Sequence, residues 1–96
     1  NSYVEMPRQT QEQQFYINLI IDSLKRLKNM DKVATYWKTV NSVAEYNKIS
    51  PERIQMTLDG LLNQKYLYEE ESEFRGRKQR ILKADWKRIE ENLDCK

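Results

Sequence analysis

The side chains in this sequence that have chemistry to offer are clustered cations rather than nucleophiles or metal ligands. Arg75, Arg77, Lys78 and Arg80 crowd around Gly76, and closely spaced guanidinium and ammonium groups bind phosphate with a steep dependence on salt. A second group, Lys25, Arg26, Lys28 and Lys32, closes an apolar-periodic stretch, where positive charge also suits a helix dipole. Between the two groups stand Ser50, Arg53, Gln55 and Met56. On an exposed helix face, Arg53 could pair with guanine or hold a phosphate and Gln55 could pair with adenine, each good bidentate contact discriminating by about 1–3 kcal/mol. The Ser50 hydroxyl could donate to a phosphate, yet Ser50 followed by Pro51 is first of all a helix start, with serine as the cap.

Other residues oppose these cations. The acidic run Glu69, Glu70, Glu71 and Glu73 precedes the hairpin cluster. With Arg75 and Gly76 as the turn, Glu73 faces Lys78 and Glu71 faces Arg80, so cross-strand pairing accounts for part of the charge without any ligand. Arg75 and Arg77 at the tip are least explained that way. Asp59 shares the outward face with Arg53, and a carboxylate there is repelled by phosphate.

Catalysis has little to work with. The chain has no histidine, which removes the usual base near neutral pH and the commonest zinc ligand. It shows no nucleophile with a base, no glycine-rich phosphate loop and no metal spacing, so no catalytic residue, metal or cofactor is expected. A single cysteine, Cys95, cannot form an internal disulfide, and a reducing intracellular compartment, cytoplasm or nucleus, fits best. No stretch approaches the roughly 20 apolar residues of a membrane span, and the first residues lack the basic and apolar regions of a signal peptide. At 96 residues, 39% hydrophobic and 33% charged, the sequence suits one small soluble domain. Its net charge of +2 is too low for indiscriminate wrapping of nucleic acid, so local charge must carry any such case.

Several elements must position these residues. Residues 1–10 are polar and read as a flexible arm, and Thr10 to Gln13 offers a capping box for a first helix. Phe15, Ile17, Ile20, Ile21, Leu24 and Leu27 recur at helical steps, and Asn29 to Lys32 ends that helix. Val33 to Trp37 has mixed propensity, open between a short strand and an early second helix. Asn41 or Ser42 can cap a helix carrying Val43, Ala44 and Tyr46, with Asn47 to Ile49 as a turn. Ser50 then opens a third helix to about Gln64, with Ile54, Leu58, Leu61 and Leu62 inward and Arg53, Gln55, Met56 and Asp59 outward. Tyr66 to Tyr68 and Arg80 to Leu82 pair as a hairpin turning at Gly76. From about Asp85 a last helix carries the stripe Trp86, Ile89 and Leu93, which either covers the core or pairs with a copy; a homodimer is expected. Tyr36, Trp37 and Tyr46 read as packing rather than a base-stacking platform.

The segment from Val43 to Leu67 resembles the winged helix-turn-helix superfamily, in the pattern of MarR-like regulators. The likeness lies in Ala44 where two helices cross, Ile49 in the turn, Ser50 as cap, and Ile54, Leu58 and Leu61 inward. With the first helix and the hairpin it covers roughly residues 10–82. One departure is Lys48, where the family most often has glycine; the turn then takes a left-handed lysine or another shape, or Asn47 supplies the left-handed residue. The resemblance implies a mainly α fold with a small β-hairpin: a three-helix core, a wing, and a C-terminal helix within residues 11–96. It further implies a duplex DNA partner, with Ser50, Arg53, Gln55 and Met56 in the major groove and Arg75, Arg77, Lys78 and Arg80 on the wing. A transcriptional regulator, or a plasmid, viral or replication-origin binding protein, would use the same surface.

A winged helix can also serve as a protein interaction module of a larger assembly, and the modest charge and acidic strand favour that alternative. Ile20 to Lys28 resembles the segment of the cullin carboxy-terminal domain that holds its modified lysine, with Lys25 at that position. Ala84-Asp85-Trp86 departs from that family's aromatic finish.

Overall fold

A computed structural model describes residues 11–93. In chain order the elements are α1 (Gln11–Asn29), α2 (Tyr36–Asn47), α3 (Pro51–Asn63), β1 (Leu67–Phe74), β2 (Arg77–Ala84) and α4 (Trp86–Asn92). The fold is therefore mainly helical with one two-stranded antiparallel hairpin. Residues 1–10, with the arm and the threonine of the capping box, and Cys95 lie outside the described residues.

Each helix turns one apolar stripe inward, because residues three and four apart share a face. Ile17, Ile20, Ile21 and Leu24 of α1 meet Val40, Val43 and Ala44 of α2 and Ile54, Leu58 and Leu61 of α3. Leu67 and Leu82 of the hairpin close this core from one side. Ile89 of α4, 1% exposed, closes it from another, with Trp86 and Leu93 packed against the same cluster. Of the α4 stripe, Ile89 is buried in the domain's own core, and Trp86 and Leu93 are half-buried beside it.

The second helix begins earlier than Asn41 or Ser42, at Tyr36. Its inward positions Thr39, Val40, Val43 and Ala44 keep helical spacing, but the polar Thr39 breaks the apolar pattern in the sequence. Thr39 is buried and its hydroxyl finds no partner among the described residues. With the core face filled by these four, Trp37 and Tyr46 are left outside, Tyr46 80% exposed. That corrects the packing reading for both. They do not form one platform either, since nine residues place them about half a turn apart on the helix wheel.

α1, α2 and α3 end the same way, and none uses glycine. Asp31, Lys48 and Lys65 have positive φ of 59°, 58° and 68°. Around them the amides of Lys32, Ile49 and Tyr66 reach back to the carbonyls of Leu27, Ala44 and Leu61. This is the Schellman closure, which satisfies carbonyls a helix end would otherwise leave open. The left-handed conformation costs an L-residue roughly 1–2 kcal/mol relative to glycine. Asn47 stays helical, its side chain donating to the Val43 carbonyl, so Lys48 itself carries the turn between α2 and α3.

The stretch before α2 contains a single strand-like residue. Ala34 makes an isolated bridge to Leu82, whose amide donates to the Ala34 carbonyl at 2.8 Å. The hairpin register pairs Phe74 with Arg77, leaving Arg75 and Gly76 as the turn, both with positive φ (55° and 77°). Such a turn matches the twist of the strands, and glycine suits its second position.

Candidate functional site

The face of α3 expected to meet a partner has a different composition once built. At about 100° per residue, the direction opposite Ile54, Leu58 and Leu61 is held by Glu52, Met56, Asp59 and Asn63. All four are exposed, Met56 74% so. Arg53 lies to one flank of that line and Gln55 to the other. Gln55 directly follows Ile54, the centre of the buried face, so it is half-buried, on the flank of α3 nearer Tyr36 of α2. That corrects its expected exposure.

Ser50, Glu52, Arg53 and Asp59 on this face each have an intramolecular partner. Arg53 Nη1 donates to Glu12 Oε2 on α1 at 2.7 Å, and the same oxygen accepts from the Tyr16 hydroxyl. Both ends of the ion pair are more than half exposed, so it contributes less than about 1 kcal/mol and does not lock Arg53. Ser50 stands at the cap position, but its hydroxyl donates to the Glu52 carboxylate and accepts no hydrogen bond from a helix amide. The helix start is held instead by the Ser50 carbonyl, which accepts from Arg53 and Ile54. The hydroxyl and a backbone amide together hold the Glu52 carboxyl below its ordinary range. Tyr36 donates to Asp59 at 2.6 Å. Burial, followed by that hydrogen bond, raises the Tyr36 phenol above its ordinary value.

The charge of α3 comes to two carboxylates, Glu52 and Asp59, against one guanidinium, Arg53. The carboxylates sit on the outward line, and the guanidinium sits beside a third carboxylate from α1. In electrostatic terms the surface repels polyanions more than it attracts them.

The hairpin carries the opposite bias at its tip. The register confirms that Glu71 faces Arg80 and Glu73 faces Lys78. The ion pairs that form are diagonal: Arg80 reaches Glu69 at 3.7 Å and Lys83 reaches Glu70 at 3.7 Å. Arg77 and Lys78 have no ion pair among the described residues, and the tip is exposed. The sequence's eight candidate binding residues therefore do not form one continuous basic surface. Arg75, Arg77 and Lys78 share the tip, Arg80 is paired along the hairpin, and Arg53 stands across the acidic line of α3.

Less conspicuous in the sequence is a groove between the end of α1, the bridge segment and the start of α4. Leu27, Val33, Tyr68 and Trp86 contribute apolar surface to it. Lys28, Lys32 and Lys83 contribute its cations. The Lys28 ammonium lies 5.2 Å from the centre of the Trp86 ring, a cation–π arrangement. The lysines were visible beforehand as a helix-end group; what the sequence could not give was Lys83 and Tyr68 folding back beside them.

Among the described residues no helix is long and apolar enough to cross a membrane, and no cluster of potential metal ligands is present. No protein-family model, curated protein or solved structure matches the chain significantly.

Proposed function

We propose that this chain is a winged-helix domain whose task is to dock on another protein of a larger assembly. The winged-helix assignment is supported by the order of the elements. One helix, a bridge residue paired to the second hairpin strand, two helices joined by a tight turn, and a hairpin follow one another as in that superfamily. The protein-docking assignment is carried by one observation: the outward line of α3 is Glu52, Met56, Asp59 and Asn63, with Arg53 drawn aside to Glu12. A recognition helix for duplex DNA inserts its outward line between two phosphate chains, where each carboxylate is opposed by like charge. An acidic line with an exposed methionine suits a protein surface, to which Met brings adaptable apolar contact.

Duplex DNA is the competing reading, favoured by Arg75, Arg77 and Lys78 at the hairpin tip. Selection from a random duplex library separates the two. The docking reading expects duplex affinity to stay in the nonspecific range of about 10⁻⁴–10⁻⁶ M at physiological salt, with no enriched sequence and no effect of Arg53→Ala on base preference. Enrichment of a defined sequence whose tight binding is lost in Arg53→Ala would overturn it.

A further inference from the structure

We propose that the groove between α1 and β2 binds an acidic peptide segment of the partner protein, with an apolar side chain as its anchor. This deepens the docking reading and rests on it. The groove follows from how α1 ends. The left-handed Asp31 throws the chain across to β2, where Ala34 bonds to Leu82. Neighbouring residues of an extended segment point to opposite sides, so with Ala34 inside, Val33 is left outside and 58% exposed. On the hairpin, Tyr68 and Ile81 share the face that borders the groove, Ile81 buried and Tyr68 45% exposed. Half-buried Trp86 and Leu27 continue this apolar floor.

The rim decides the sign of the occupant. Lys28, Lys32 and Lys83 line the groove against one carboxylate, Asp31. Lys83 also has Glu70 at 3.7 Å, but both are about half exposed and the pair is weak. The groove that runs between α1, α3 and α4 has no charged side chain in its lining, and the one beside Tyr36 and Trp37 holds Asp59, Glu69 and Arg80. Of these three grooves only the first is net positive. Its complement is negative at the rim and apolar at the floor. A phosphodiester backbone satisfies the lysines but leaves Val33 and Tyr68 without apolar partners. A peptide with a large apolar residue flanked by Asp and Glu satisfies both.

Trp86 lines the groove and Trp37 does not, so Trp37→Phe, at an exposed position, makes Trp86 a sole fluorescent reporter. A random dodecapeptide library is selected against the full chain in this background. The expected consensus is an aromatic or aliphatic residue flanked by carboxylates, whose binding changes Trp86 emission and weakens with salt. Lys28→Glu combined with Lys32→Glu should weaken that binding at least tenfold, and Val33→Asp severalfold, while Lys38→Glu on α2 leaves it within twofold. All of these positions are exposed, and thermal melts of the variants check that folding is kept. A consensus lacking acidic residues, or binding indifferent to the lysine reversals, overturns the proposal. Selected peptides that instead perturb α3 amides overturn the groove alone and leave the docking reading intact. Random duplex DNA that displaces the peptides from Trp86 overturns both. Self-association abolished by the same reversals makes the occupant a second copy and overturns the proposal too.

Discussion

The outward line of α3 and the groove beside α1 carry opposite charge on the same small core. On α3 the exposed direction is set by where Ile54, Leu58 and Leu61 must go, and what remains is acidic with Met56 at its middle. In the groove three lysines from two distant stretches of chain meet around a partly apolar floor. A resemblance built on inward-facing residues speaks for the fold that both surfaces share. It is silent on the outward residues, which alone decide the partner.

The largest effect that separates the two regions comes from α4. Ile89→Ala removes a side chain 1% exposed and should cost about 2–4 kcal/mol, measured by urea unfolding. Because α4 brings Trp86 to the groove and borders the outward line of α3 only near Met56, through Asn92 and Leu93, Trp86 fluorescence should change before amide exchange at Glu52, Asp59 and Asn63 does. Simultaneous loss of both would show that the surfaces are not independently supported.

Next is Tyr36→Phe, which deletes the hydrogen bond to Asp59 and should cost about 1 kcal/mol at neutral pH. The pKa of the Tyr36 phenol is raised in the folded state above its ordinary value. The folded protein therefore holds that proton more tightly than the unfolded chain. The stability this contributes is complete below the unfolded value and is lost as pH rises through the folded one. In Tyr36→Phe the alkaline limb of a stability–pH curve should accordingly be flatter than in the parent.

Smaller gains should come from relieving local conflicts. Thr39→Val replaces a buried hydroxyl that lacks a partner among the described residues and should stabilise by up to about 1 kcal/mol in the same unfolding assay. Lys48→Gly and Lys65→Gly, at positive φ, should each raise stability by a few tenths to about 1 kcal/mol, the left-handed relief offset by a more flexible unfolded chain. Neither lies in the groove, so peptide binding should be unchanged.

The sequence was most legible where one residue type meets one rule. Pro51 marked the start of α3, Gly76 marked the hairpin turn, and Asp85 caps α4 through the amide of Arg88, as its position before the stripe suggested. The start of α2 was obscured because Thr39 interrupts its apolar face and Thr35 caps it without a side-chain bond. The helix ends gave no glycine signal, since Asp31, Lys48 and Lys65 fill the left-handed positions. Of the site, spacing alone foresaw that Glu71 and Glu73 face Arg80 and Lys78. It did not foresee Glu12 reaching Arg53, or Ser50 turning to Glu52. The first partner lies on another helix, and the second bond competes with the cap through a carboxylate two residues on. The groove was illegible for a similar reason, since Lys83 and Tyr68 join Lys28 and Lys32 from a distant stretch of chain.

The central claim, that α3 does not read DNA, is tested most directly by titrating the isotope-labelled chain with random-sequence duplex DNA at physiological salt and following its amide resonances. The account predicts weak, salt-sensitive shifts confined to Arg75, Gly76, Arg77 and Lys78, with the amides from Glu52 to Asn63 unmoved. Saturable shifts along α3, centred on Arg53 and Met56, would contradict it.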